Sequence, residues 1–184
     1  MIDARQQRLC ADLARLLAYP APDAGSVARR AAGQAGAGSA AGAALARFAA
    51  AAEAATPGAL QELYTATFDL RPTCAPYLGV QLLGDESPVR GALLAKLAEV
   101  YAAEGFRPRE ELGDHVAEVL GFLAVARPGP GRDDLLRDGL LPALSRMVEA
   151  FEDRENPYRQ LLVAAGAALE LPAAGAAAGA EVDP

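Results

Sequence analysis

Apolar side chains recur along this chain at the spacing of an α-helix and nowhere alternate as a strand requires. Leu9, Leu13, Leu16 and Leu17 fall at i, i+4, i+7 and i+8, one face of a first helix that ends near Pro20. Leu60, Leu63, Tyr64, Thr67 and Phe68 repeat the pattern. Val89, Leu93, Leu97, Val100 and Tyr101 mark another helix, and Val116, Val119, Leu120 and Leu123 a further one. Leu136, Leu140, Leu144, Met147, Val148 and Phe151 trace a long segment kinked at Pro142. Tyr158, Leu161, Leu162 and Leu169 form the face of the last. Such positions are buried only by packing helix on helix, which predicts a single all-α domain of roughly seven or more helices.

Prolines, glycines and capping residues set the expected boundaries. The Ala/Gly stretch from Ala31 to Gly42 reads as a loop or a frayed short helix, followed by a helix over Ala41 to Ala55 that stops at Pro57-Gly58. Arg71-Pro72-Thr73-Cys74-Ala75-Pro76 breaks the chain before a short helix from Tyr77 to Leu83, closed by Gly84. Ser87-Pro88 has the form of an N-cap followed by proline at the first helical position, and Gly105 is the expected stop of that helix. Arg127-Pro128-Gly129-Pro130-Gly131 reads as a loop, and Asn156-Pro157 repeats the cap-and-proline start. The predicted helical domain covers 1–171, and the Ala/Gly composition from Pro172 onward predicts a disordered tail over 172–184.

At 184 residues the chain can bury a sizeable core. Hydrophobic residues make up 52% of it, but much of that is alanine, and lysine occurs once, at Lys96, while arginine is common. Alanine runs are therefore discounted, and Leu, Val, Phe, Tyr and Met carry the reading. The formal charge of −7 argues against a nucleic-acid partner, which needs a basic footprint, and suits a cationic peptide drawn to an acidic surface. Cys10 and Cys74 stand outside any CxxC pattern and read as free buried thiols. Met1-Ile2-Asp3-Ala4-Arg5 lacks the basic start and apolar core of a secretory signal, and no apolar run reaches the roughly 18 residues of a membrane span. A soluble cytoplasmic protein, without membrane insertion, is expected.

Signatures of catalysis and cofactor binding are missing. The chain has no GxxxxGKS/T, no strand-associated GxGxxG, no EF-hand loop and no GxSxG elbow. One histidine and two distant cysteines make a poor ligand set for a metal. The expectation is no enzyme, no cofactor and no metal site. What remains is Glu111-Leu112-Gly113-Asp114-His115, immediately before an apolar helical run. Asp114 is placed to cap that helix, with His115 in its first turn. The segment fits a capping network, a recognition surface or, with Cys74 folded close, a reactive pair.

The segments around it follow in a set order: Tyr64…Phe68-Asp69-Leu70, then Gly84-Asp85-Glu86-Ser87…Arg90-Gly91, then Tyr101…Gly105-Phe106, then Glu111 to His115. Together they resemble the TorD/NarJ family of redox-enzyme maturation chaperones. The resemblance is closest to the NarJ branch, the nitrate reductase delta subunits, in which a Glu-Leu-Pro-Asp-His segment follows such a block. It covers about Leu60 to Leu123, and Asn156-Pro157-Tyr158-Arg159 resembles the family's last helix. Gly113 stands where the family has proline, which loosens the approach to the helix.

The resemblance implies a helical bundle of the TorD/NarJ type and a cytoplasmic, non-enzymatic chaperone. Such a protein binds the N-terminal segment of a molybdoenzyme catalytic subunit of the DMSO reductase superfamily, nitrate-reductase-like by default. It holds that subunit for molybdenum-cofactor insertion before membrane attachment or export. The implied partners are the apo catalytic (alpha) subunit and proteins of molybdenum-cofactor biosynthesis, the chaperone itself being a monomer or a homodimer. The alternative is a structural helical subunit retained in a mature redox complex.

An amphipathic or basic leader lying in a helical groove would meet apolar walls at Tyr64, Phe68, Tyr77, Leu78 and Phe122, with Leu82 and Val119 more in keeping with core. Asp85, Glu86, Glu111, Asp114 and Glu118 would form an acidic rim for client arginines, with His115 beside them; for Glu118 the alternative is a surface charge without a role in binding. Replacing Glu111, Asp114 or His115 by alanine is expected to weaken binding without unfolding the protein. If His115 takes part in client binding, affinity changes across its titration; if it is only structural, affinity stays flat.

Overall fold

A computed structural model of the chain describes residues 2–69 and 72–170. These residues contain no strand. The elements are α1 (Ala4–Leu16), α2 (Ala24–Ala35), α3 (Ala40–Ala54), α4 (Pro57–Phe68), α5 (Leu78–Leu83), α6 (Arg90–Ala103), α7 (Val116–Val125), α8 (Pro130–Asp134), a π-helical stretch (Leu135–Leu140), α9 (Leu141–Glu149) and α10 (Pro157–Leu169). The all-α bundle expected from the apolar periodicity is what forms. The tail expected from Pro172 falls outside the described residues.

α1 begins with a reciprocal cap: the Asp3 carboxylate accepts the Gln6 N–H at 2.8 Å, and the Gln6 side chain accepts the Asp3 N–H at 3.0 Å. Its stripe of Leu9, Leu13 and Leu16 is buried and packs on α7. α7 is apolar nearly all round, with Val116, Val119, Leu120, Phe122 and Leu123 all without exposed surface. A helix of that composition belongs in the middle of the bundle.

α2 is a correction to the sequence reading, which treats Ala31–Gly42 as a loop or frayed helix. Only Gly36 to Ser39 turns; the residues on either side are helical. Ala28, Ala31 and Ala35 are buried against α3, on which Ala41 and Ala44 are buried in turn. Small side chains let the two backbones close up, so alanine here is packing material rather than filler. The approach is tight at Gly42, where an added Cβ would fall 2.2 Å from the Gly36 carbonyl oxygen.

Pro57 opens α4 rather than only ending its predecessor. Thr56 is the N-cap, accepting the Ala59 N–H at 3.2 Å, and proline at the first position loses no hydrogen bond. α10 starts in the expected way, with Asn156 accepting the Tyr158 N–H at 2.9 Å. An aromatic cluster joins these helices to α3: Tyr158 lies 5.5 Å from both Phe48 and Tyr64 and 5.4 Å from Phe68, measured between ring centroids.

Three boundaries differ from expectation. Ser87-Pro88 forms a turn, closed by the Arg90 N–H on the Ser87 carbonyl at 3.2 Å, and α6 begins only at Arg90. α8 begins at Pro130, inside the stretch read as a loop. Pro142, expected to kink a continuous helix, falls at the second residue of α9, directly after a π-helical stretch over Leu135–Leu140. Gly105, with φ of 68°, closes α6 as expected, and the Phe106 N–H returns to the Tyr101 carbonyl at 2.9 Å.

Candidate functional site

The chain entering α7 is fastened to the chain entering α5. Tyr77 and His115 form an isolated antiparallel bridge, with the Leu78 N–H on the Asp114 carbonyl and the Val116 N–H on the Pro76 carbonyl, each at 2.8 Å. Asp114 has no exposed surface. Its Oδ2 accepts the Gly79 N–H at 3.1 Å and Arg90 Nε at 3.1 Å, and its Oδ1 accepts Arg90 Nη2 at 3.4 Å. The Arg90 guanidinium also lies over the Tyr77 ring, 5.3 Å from its centroid. Only glycine fits at 79, because a Cβ there would come within 2.6 Å of Asp114 Oδ2. Asp114 thus serves the start of α5, not the helix that follows it in sequence.

His115 is the N-cap of α7. Its Nδ1 accepts the Ala117 N–H at 3.1 Å, so the ring's remaining proton sits on Nε2. Burial pushes its pKa down to about 4, against the opposing pull of Glu118, Asp114 and Asp69. At neutral pH the ring is uncharged and structural. Cys10 and Cys74 are free and buried, and burial pushes both thiols up to about 12. A thiol so far from ionising is a poor nucleophile. The described residues contain no cluster of three or more side chains suited to hold a metal.

The loop from Phe106 to Gly113 is strapped across α6 and α7. Tyr101 Oη donates to the Gly113 carbonyl at 2.7 Å. On α7, Glu118 Oε1 accepts the N–H groups of Arg109 and Glu110 at 3.2 and 3.3 Å. Glu118, on sequence grounds either an acidic-rim residue or an idle surface charge, is instead a buried loop tie. Phe106 packs against Tyr101, Phe122 and the bare face of Gly121.

A cavity opens on each side of this loop. One of about 560 Å³ lies against α6, lined by Leu94, Ala98, Tyr101, Phe106 and Leu112. The other, about 540 Å³, runs between α1 and α7. Ala14, Ala18, Ala117, Gly121 and Ala124 are among its small lining residues, and Glu110, Glu111 and Glu118 are its carboxylates. Arg15 and Arg109 also border it.

The residues singled out from sequence separate accordingly. Glu111 is exposed on the α1/α7 groove, its Oε2 accepting from Tyr77 Oη at 2.9 Å. Tyr77 is half-buried. Asp85 and Glu86 are exposed on the turn between α5 and α6. Tyr64, Phe68, Leu78, Asp114, His115 and Phe122 are buried, so they present little or no surface to a client. Val119 is core, as expected; Leu82 is half-buried. Of Glu111, Asp114 and His115, only Glu111 can be replaced without opening a buried network. Tyr19 and Gly121 carry no site signal in the sequence, and Phe106 stands out there only within the ordered block. Only folding shows that they border a groove.

Helices α1 and α7 thus enclose a groove floored by small side chains with carboxylates beside it. The chain belongs to the nitrate reductase delta subunit family, whose model matches residues 34–164. Members of that family are chaperones of redox-enzyme maturation, not catalysts, and a molybdoenzyme catalytic subunit is the partner the family implies. Among solved structures, a candidate redox-enzyme maturation protein from Archaeoglobus fulgidus shares the fold. It is 21% identical, with a TM-score of 0.60 over 90% of this chain and 93% of that one. Comparison with curated proteins gave no significant match. No helix among the described residues is long and apolar enough to cross a membrane.

Proposed function

We propose that this chain is a cytoplasmic, system-specific chaperone that binds the N-terminal segment of a molybdoenzyme catalytic subunit, nitrate-reductase-like and of the DMSO reductase superfamily. It holds that subunit for molybdenum-cofactor insertion and assembly before membrane attachment or export. The observation that carries this reading is the α1/α7 groove. Its small floor residues leave room for apolar side chains of a partner, while Glu110 and Glu111 stand ready for basic ones. The chain's net charge of −7 favours a cationic segment over an anionic one.

The test begins by capturing the catalytic subunit from anaerobically grown cells with the full chain as bait. Calorimetry with a peptide of that subunit's N-terminus should then give micromolar or tighter binding that weakens as salt is raised. No heat with any such leader sinks the reading. Stoichiometric retention of this chain in the purified active enzyme would favour a structural subunit instead.

A further inference from the structure

Tyr19, just beyond the end of α1, borders two hollows at once. One is the α1/α7 groove; the other, about 490 Å³, lies on α4 and is lined by Gly58, Gln61, Glu62, Thr65 and Ala66. The Tyr19 ring stands nearly perpendicular to that of buried Tyr64, with centroids 5.5 Å apart and planes at 80°. The contact leaves Tyr19 54% exposed. Each hollow also carries exposed carboxylates, Glu62 in the one on α4 and Glu110 and Glu111 in the groove. Of the two arginines bordering the groove, Arg15 is engaged by Asp23 at 2.6 Å, and Arg109 is the other.

We propose that Tyr19 is a specificity-determining residue: it stacks on the guanidinium of a client arginine that passes from the groove onto the α4 hollow. This rests on the groove being the leader site. A planar guanidinium lies flat on an aromatic ring and still directs its N–H groups, within its own plane, at surrounding carboxylates. The ammonium of lysine is a hydrated point charge and gains less from the same surroundings. Tyr19 therefore makes the site prefer arginine to lysine at one position, a choice that the carboxylates alone would not make.

The test uses the full chain, the client leader peptide and two designed helical peptides of leucine and alanine that differ only in carrying arginine or lysine. Wild type should bind the arginine peptide about threefold more tightly than the lysine peptide. Tyr19→Leu should abolish that difference, and Tyr19→Phe should keep it. Tyr19 is exposed, so both variants should melt as wild type does. Equal binding of the two peptides by wild type, or an arginine preference that survives Tyr19→Leu, overturns the role of Tyr19 while leader binding stands. Failure of the leader and both designed peptides to bind overturns the groove reading along with it.

Discussion

Arg90 Nε lies 3.1 Å from Asp114 Oδ2, joining a largely buried arginine at the first residue of α6 to a carboxylate with no solvent access. Through that contact, and the Gly79 N–H on the same oxygen, one side chain sets the relation of α5, α6 and α7. The acidic pair of the Glu111–His115 segment is therefore divided in role: Asp114 builds the wall and Glu111 faces the groove.

Removing either partner of a buried pair leaves the other uncompensated. Asp114→Ala and Arg90→Ala should each cost about 3 kcal/mol or more, seen as a lower midpoint in urea unfolding. Asp114→Asn keeps an acceptor for the Gly79 N–H and should cost less. A loss below about 1 kcal/mol for Asp114→Ala would remove Asp114 from this structural role.

His115 links stability to pH. Its folded pKa is about 4 against an ordinary value of 6.5, so between those values the unfolded chain binds the extra proton. Its contribution is full above pH 6.5, falls as the pH drops toward 4 and then levels off. The span corresponds to about 3 kcal/mol. His115→Asn retains an N-cap acceptor and should lose this part of the acid sensitivity, read from urea unfolding across the range. Identical pH profiles for variant and wild type would contradict the assignment. Because the ring is neutral and buried, leader affinity should stay flat across the titration range of an ordinary histidine, the outcome that goes with a structural His115.

Glu111 can be tested without touching the core. Glu111→Gln should weaken leader binding about fivefold, or about 1 kcal/mol, while stability changes by less than about 0.5 kcal/mol. Calorimetry and thermal melts on the same preparation decide the matter. Unchanged affinity would take Glu111 out of the site.

Gly113 stands where the resemblance to the family implies proline, at a turn position that proline favours. The His115 N–H bonds the Leu112 carbonyl at 2.9 Å, making Leu112–His115 a β-turn with Gly113 second. Its φ is outside the left-handed region, and the second position of such a turn favours proline. Gly113→Pro should stabilise the protein by about 0.4–1 kcal/mol, chiefly by restricting the unfolded chain. A lower melting temperature would show that the glycine is needed.

The helices with large apolar side chains were legible in the sequence because Leu9/Leu13/Leu16 and Val116/Val119/Leu120/Leu123 face inward at helical spacing. α2 was not, because its buried face is alanine, which carries no periodic contrast in an alanine-rich chain. Ser87-Pro88 has the chemistry of a cap, yet Arg90 is drawn to Asp114 and the helix starts there instead. Capping propensity amounts to about 1 kcal/mol, less than the cost of leaving a buried carboxylate unpaired.

From the sequence alone follow the all-helical class, the ordered block ending at His115 and the absence of phosphate-loop and nucleophile motifs. These depend on local spacing and residue type. Only the tertiary structure separates the residues that border a groove from those that hold its shape. Asp114 and Glu111 are both acids three positions apart, and what distinguishes them is solvent. Packing of α5 and α6 over Asp114 excludes water and forces it to pair, while Glu111 remains where an incoming partner can reach it.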